Sequence, residues 1–135
     1  MLLDYKNDYE KISMGLLSFI PDLKDVARLK DEMEWYQNKE NHKLYLWKSE
    51  ETQDIIAVIG VESANDMILL RRISINPSFR NEGISYSISE ALERQFPQKK
   101  IMGTLETAPL VAKWEQEKSK KNEQQELSAD GNSED

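Results

Sequence analysis

Arg80, Gly83 and Ser85 stand in the pattern Arg80-x-x-Gly83-x-Ser85, between an apolar run ending at Ile75 and an apolar-periodic run opening at Ile84. Residues of these types at this spacing suit the capture of an anion. The first N–H groups of a helix have no intrahelical partner and lie at the positive end of the helix dipole. A pyrophosphate placed there gains several hydrogen bonds and a favourable field. Gly83 permits torsions that a side chain forbids and lets the backbone approach a ligand closely. Arg80 adds a charged donor matched to phosphate oxygens. An Arg and a Gly three apart arise often by chance, so the spacing alone says little. A strand before it and a helix after it make it informative. The competing reading is a plain strand–turn–helix connection with a glycine at the turn.

The elements that must position this loop follow from periodicity. Leu2, Leu3 and Tyr5 suggest a short edge strand. Asn7 or Asp8 can cap a helix in which Tyr9, Ile12, Leu16, Leu17 and Ile20 share a face, with Pro21 as its stop. Asp22 is the expected cap of a second helix, with Val26, Leu29, Met33 and Tyr36 as its stripe and Trp35 at the edge of the core. Leu44 to Lys48 alternates as a strand, and the unbroken run Ile55 to Val61 suits a central strand covered on both faces. Turns at 50–53 and 64–66 then lead to a strand from Met67 to Ile75, which makes an antiparallel meander. On that strand Arg71 and Arg72 are expected on opposite faces. After the loop, Ile84, Ile88, Ala91, Leu92 and Phe96 mark a helix that Pro97 ends. A strand from Lys100 to Leu105 is expected to return parallel to the sheet. Pro109 opens a last helix through Leu110, Val111 and Trp114.

Composition bounds the classes open to the chain. Its 135 residues form one domain with room for a core. There is no cysteine, which removes disulfides, thiolate metal sites and a Cys nucleophile. One histidine, His42, expected in a surface loop, rules out a multi-histidine metal site. A net charge of −7 argues against general nucleic-acid binding. No apolar run reaches membrane-spanning length, and the N-terminus lacks a basic region leading into an apolar stretch. A cytoplasmic protein without nucleic-acid or membrane partners, monomeric or homodimeric, is the expectation. Leu127 is the only large apolar side chain after Trp114, so 117–135 reads as a polar, disordered tail behind a domain at 1–116.

The loop resembles the acyl-CoA signature of the GNAT acetyltransferases, Arg/Gln-x-x-Gly-x-Gly/Ala, and the element order over roughly residues 1 to 116 is similar to theirs. Within that superfamily the chain looks most like the small RibT group, acetyltransferase-like proteins encoded with riboflavin-synthesis genes in Gram-positive bacteria. The stretches that carry this are Lys11-Ile12-Ser13-Met14-Gly15-Leu16-Leu17-Ser18-Phe19, Leu44-Tyr45-Leu46-Trp47-Lys48 and Arg72-Ile73-Ser74-Ile75-Asn76-Pro77-Ser78. The resemblance implies an α/β (α+β) fold with a mixed, mostly antiparallel central sheet flanked by about four helices. The polar C-terminal region implies a fold truncated there, without the family's final strand pair.

The resemblance also implies a site. The strand through Ile73, Ser74 and Ile75 would splay from the strand through Ile101 to Leu105, and the pantetheine arm of acetyl-CoA would pair with the exposed main chain. The pyrophosphate would sit on Arg80, Asn81, Glu82, Gly83, Ile84 and Ser85. A backbone N–H of Ser74 or Ile75 would bind the thioester oxygen while an uncharged amine attacks. Glu62 is the candidate base, directly or through water; its plain reading is a solvated residue beside a hairpin. Two positions depart from the family. Trp114 stands where a tyrosine usually acts as acid, and an indole N–H is no acid at neutral pH. Ser85 replaces a smaller Gly or Ala. The implied activity is acetyl-CoA-dependent N-acetylation of a small-molecule or protein amine. The alternative is a catalytically weak binding or regulatory protein on the same fold.

Overall fold

The computed structural model describes residues 1–80 and 83–133, with side chains through Gln125. Five strands form one sheet in the order β1-β2-β3-β4-β5: β1 (Leu2–Asp4), β2 (His42–Lys48), β3 (Ile55–Ser63), β4 (Met67–Ile75) and β5 (Lys100–Gly103). The first four pair antiparallel, and β5 joins β4 in parallel as the last strand of the sheet. Four α-helices cover the two faces: α1 (Glu10–Leu17), α2 (Val26–Trp35), α3 (Ile84–Gln95) and α4 (Ala108–Ser133).

Strand alternation divides the core in two. Leu44, Leu46 and Val58 pack with Leu16, Leu17, Leu29 and Met33 of α1 and α2. Tyr45, Ile59, Val61, Ile68 and Leu70 pack with Ile88, Leu92, Val111 and Trp114 of α3 and α4. Burial against apolar neighbours pushes the Tyr45 phenol up to about 12, with the charge of Asp4 adding to the effect. β3 sends side chains into both layers, which is why its sequence is apolar without alternation.

Several local expectations are corrected. The cap of α2 is Asp25, whose Oδ1 accepts the Ala27 N–H at 3.0 Å. Asp22 sits instead in a 3-10 turn, Pro21–Leu23, because Pro21 fixes the turn before the helix can start. Val26 is exposed rather than part of the α2 stripe. His42 is not a loop residue: it opens β2, is buried, and its ring stacks on Trp35 at 3.4 Å between centroids. Its Nδ1 lies 2.9 Å from the Trp35 carbonyl, which can only accept, so Nδ1 carries the proton. β5 stops at Gly103, and Leu105 is fully exposed in the turn that follows. A Cβ on Gly103 would come within 2.7 Å of the Ala108 backbone, so glycine is what lets α4 start directly on the end of the strand. α4 runs as helix from Ala108 to Ser133. Its sequence beyond Trp114 is rich in Glu, Lys and Gln, which favour helix without needing a packed face. Lys118 pairs with Glu93, and Lys121 lies 3.9 Å over the Tyr86 ring.

Candidate active site

The decisive local feature is a β-bulge on β4. Gly60 lies opposite Arg72 and Val61 opposite Leu70, which leaves Arg71 as the extra residue. A bulge puts two consecutive residues where the partner strand has one and resets the alternation. Arg71 and Arg72 therefore do not point to opposite faces, as expected, but both reach α2. The Arg71 guanidinium lies 4.1 Å over the Trp35 ring, and Arg72 Nε donates to Glu32 Oε1 at 3.0 Å.

Beyond the bulge β4 has no partner on its β5 side. The parallel pairing runs from Met67↔Lys100 to Leu70↔Gly103 and stops. The Asn76 N–H donates to the Ile56 carbonyl at 2.7 Å. Antiparallel pairs alternate between bonded and non-bonded, so Ser74 also turns its N–H to β3, while Ile73 and Ile75 turn theirs into the gap. Arg80 Nε donates to the Ile75 carbonyl at 3.3 Å, in keeping with this orientation. Of the two N–H groups considered for the thioester oxygen, that of Ile75 faces the gap and that of Ser74 does not. Ile73, not considered, faces it as well. The Ser74 hydroxyl is also taken, since it donates to the Leu16 carbonyl at 2.5 Å and fixes the end of α1 to the sheet.

The gap opens into a cavity of about 710 Å3 that reaches both faces of the sheet. Ile73, Ser74, Ile75, Arg80, Gly83, Ile84 and Ser85 line it. Asn81 and Glu82 lie outside the described residues. Gly83 caps α3 at φ 73° and ψ 14°, a left-handed conformation that strains any residue with a side chain. The N–H groups of the first turn of α3 follow directly, without intrahelical acceptors. Phe19, Ile20 and Pro21 form the wall on one face, and Leu110, Lys113 and Trp114 the wall on the other. The indole Nε1 of Trp114 is buried and has no hydrogen-bond partner among the described residues.

Glu62 is not brought to this cavity. It is the next-to-last residue of β3, opposite His42 and Leu69, with its carboxylate 3.9 Å from Arg71. Besides Glu117 on α4, the carboxylate that lines the cavity is Glu106, in the turn before α4. It receives Arg72 Nη1 at 3.1 Å, and Asp22 receives Nη1 at 3.2 Å and Nη2 at 3.0 Å. One guanidinium thus joins α2, the turn after α1 and the turn before α4. Hydrogen bonds from Arg72 hold the Asp22 carboxyl below its ordinary value, against some desolvation. Burial alone would lower the Arg72 value; its carboxylate partners more than offset that and raise it. Neither Glu106 nor Thr107, which also lines the cavity, is marked by any sequence motif. Among the described residues no group of His, Asp and Glu side chains is arranged to hold a metal, and no helix is long and apolar enough to cross a membrane.

A mostly antiparallel sheet that opens between a bulged fourth strand and a parallel fifth is the fold of the GNAT acetyltransferases. Solved structures similar to this chain include aminoglycoside 6'-N-acetyltransferase AAC(6')-Ih from Acinetobacter baumannii, 18% identical over 77% of this chain and 78% of that one, with a TM-score of 0.58. Aminoglycoside N-acetyltransferase AAC(6')-Iy in complex with CoA matches 79% of this chain and 78% of its own at 12% identity, TM-score 0.63. An uncharacterized N-acetyltransferase in the lysA 3' region of Bacillus methanolicus is 43% identical over 116 residues, which is 85% of this chain and 95% of the relative. The chain belongs to the GNAT N-acetyltransferase superfamily. No family model matches it.

Proposed function

We propose that the chain transfers an acetyl group from acetyl-CoA to a primary amine. The observation that carries this reading is the gap itself: β4 and β5 part after Leu70 and Gly103, and the left-handed Gly83 sets the first turn of α3 beside the opening. The residues fit the co-substrate. Ile73 and Ile75 offer main-chain groups to an extended amide-bearing arm, while Arg80 and the N–H groups from Gly83 to Ser85 suit a pyrophosphate. Acetyl-CoA would supply the acetyl group as an activated thioester. The protein's part is to hold it, to offer the Ile73 or Ile75 N–H to the carbonyl oxygen, and to admit the amine from the opposite face, past Phe19 and Pro21. The amine loses its proton to water rather than to Glu62, whose carboxylate faces Arg71 away from the cavity. With Trp114 in place of an acidic side chain, the departing thiolate takes its proton from solvent.

Titration calorimetry with acetyl-CoA tests the cofactor assignment. Micromolar binding by the wild type that is lost in Gly83→Val is the expected result. Equal affinity in the two proteins would refute the loop assignment. Thiol release across a panel of amines then tests transfer, and turnover no faster than hydrolysis with every amine would count against it.

Trp114 favours a second reading, a GNAT-fold binding or regulatory protein with weak chemistry. Its buried indole occupies the place where the family has its acid. The likeness to the RibT group suggests enzymes of riboflavin synthesis as partners in that case. Affinity capture with the intact chain, recovering none of them, would remove this link.

A further inference from the structure

Thr107 is buried at the apex of the gap. Its hydroxyl donates to the Leu70 carbonyl at 2.6 Å and accepts the Thr104 N–H at 3.0 Å. These two partners belong to each other in an unbroken sheet. In a parallel ladder the bonds recur every second residue. The Lys100 N–H donates to the Asp66 carbonyl at 3.0 Å. Two steps of two residues bring the Thr104 N–H to the Leu70 carbonyl. The Thr107 side chain stands between that donor and that acceptor and satisfies both.

We infer that Thr107 is a positioning residue whose hydroxyl, inserted into the β4–β5 ladder, holds the strands apart and fixes where the acyl-CoA gap begins. The energetics support an insertion rather than an accident. Leaving the buried Leu70 carbonyl and the Thr104 N–H unpaired is costly, so strands simply pulled apart would tend to close again. With the hydroxyl in place both groups are satisfied in the open arrangement, and Ile73, three residues on, keeps its N–H free. The same turn is held from two further sides. Gly103 admits the Ala108 backbone, and Glu106 binds Arg72 across the bulge.

The inference rests on the proposed acetyl-CoA site, and the experiment separates the two. Acetyl-CoA affinity is measured by calorimetry for the wild type, Thr107→Ser and Thr107→Val. Thr107→Ser keeps the hydroxyl and is expected within threefold of the wild type. Thr107→Val keeps the shape without the hydroxyl and is expected to bind about tenfold more weakly, the loss of one hydrogen-bonded group. Wild-type affinity in Thr107→Val would overturn the inference while leaving the site intact. No binding by the wild type would remove the site itself. Should Thr107→Val not fold, Thr107→Cys, a weak donor of similar size, carries the same expectation, and affinity equal to Thr107→Ser would overturn the inference. In turnover with any accepted amine, KM for acetyl-CoA should rise with kcat little changed; a matching fall in kcat at saturating acetyl-CoA would show a role other than setting the gap.

Discussion

Arg71 and Arg72 are consecutive on β4, yet both guanidinium groups lie on the α2 side of the sheet. The bulge that produces this also ends the β4–β5 pairing one residue earlier. A single extra residue therefore does two jobs. It turns a second cation toward α2, so that Trp35 and four carboxylates, Glu32, Asp22, Glu106 and Glu62, receive the pair, and it releases the far edge of β4 for a ligand. Because Arg72 reaches the turns on both sides of the cavity, the ion cluster also fixes the width of its mouth on the α1 side.

Removing Arg72 leaves Glu32, whose side chain is 8% exposed, as a buried charge without its partner. Arg72→Met is expected to destabilise the fold by about 3 kcal/mol. Adding Glu32→Gln removes the orphaned charge and should restore part of that loss. Urea denaturation of the single and double variants measures both. A single-variant loss below about 1 kcal/mol would show the cluster to behave as an exposed surface pair.

The same cluster makes stability fall in acid. The folded Asp22 carboxyl titrates below its ordinary value near 3.8, so the unfolded chain binds the proton first as pH drops. The contribution of Asp22 is complete above that ordinary value and is lost as pH falls through the lower, folded value. Melting temperatures from pH 7 down to pH 3 should therefore decline more in the wild type than in Asp22→Asn. Parallel curves would show that Asp22 adds nothing to the acid limb.

Gly60 sits on β3 opposite the bulge, and a Cβ there would meet Tyr36 Oη at 2.2 Å and Cζ at 2.4 Å. Tyr36 is buried, and burial also holds its phenol neutral far above the ordinary range. Unless the ring retreats, Gly60→Ala should cost about 1–3 kcal/mol through overpacking. Thermal denaturation reads this directly, and a melting temperature equal to the wild type would mean that the Tyr36 ring moves freely.

We expect residues 1–116 to carry the folding energy, and the later turns of α4 to add little. A chain ending at Lys121 keeps the contacts of Lys118 with Glu93 and of Lys121 with Tyr86. Its stability should lie within about 0.5 kcal/mol of the full chain. A larger loss would show that the end of α4 is docked.

The strands, their order and the strand–turn–helix connection that carries Arg80 and Gly83 were legible because they are written in strong local signals: alternation, an unbroken apolar run, and an arginine and a glycine flanked by a strand and a helix. The bulge was not. It carries no glycine or proline, and Arg71 becomes the extra residue only through its pairing with β3, which a single strand cannot express. Thr107 was invisible for a related reason, since its role exists only against the Leu70 carbonyl, 37 residues away. His42 misled because polarity was read as exposure; it is buried. Helical spacing misplaced one turn of α1 as well: Ser13 takes the inward place it gave to Ile12. Glu62 was placed correctly near the end of β3, but the cavity opens at the other end of β4, beside Ile73 and Ile75, where the family resemblance implied the gap.

The last strand of the sheet has one further consequence. β5 is four residues long, pairs on one side only, and begins with an exposed lysine next to a second, Lys99. A foreign strand seeking to zip onto this margin would find few free amide groups and two cations at the point of entry, the usual protection against edge-to-edge aggregation. Concentrated solutions should therefore resist fibril growth from this margin, and replacing Lys100 with valine would be the shortest route to a sticky protein.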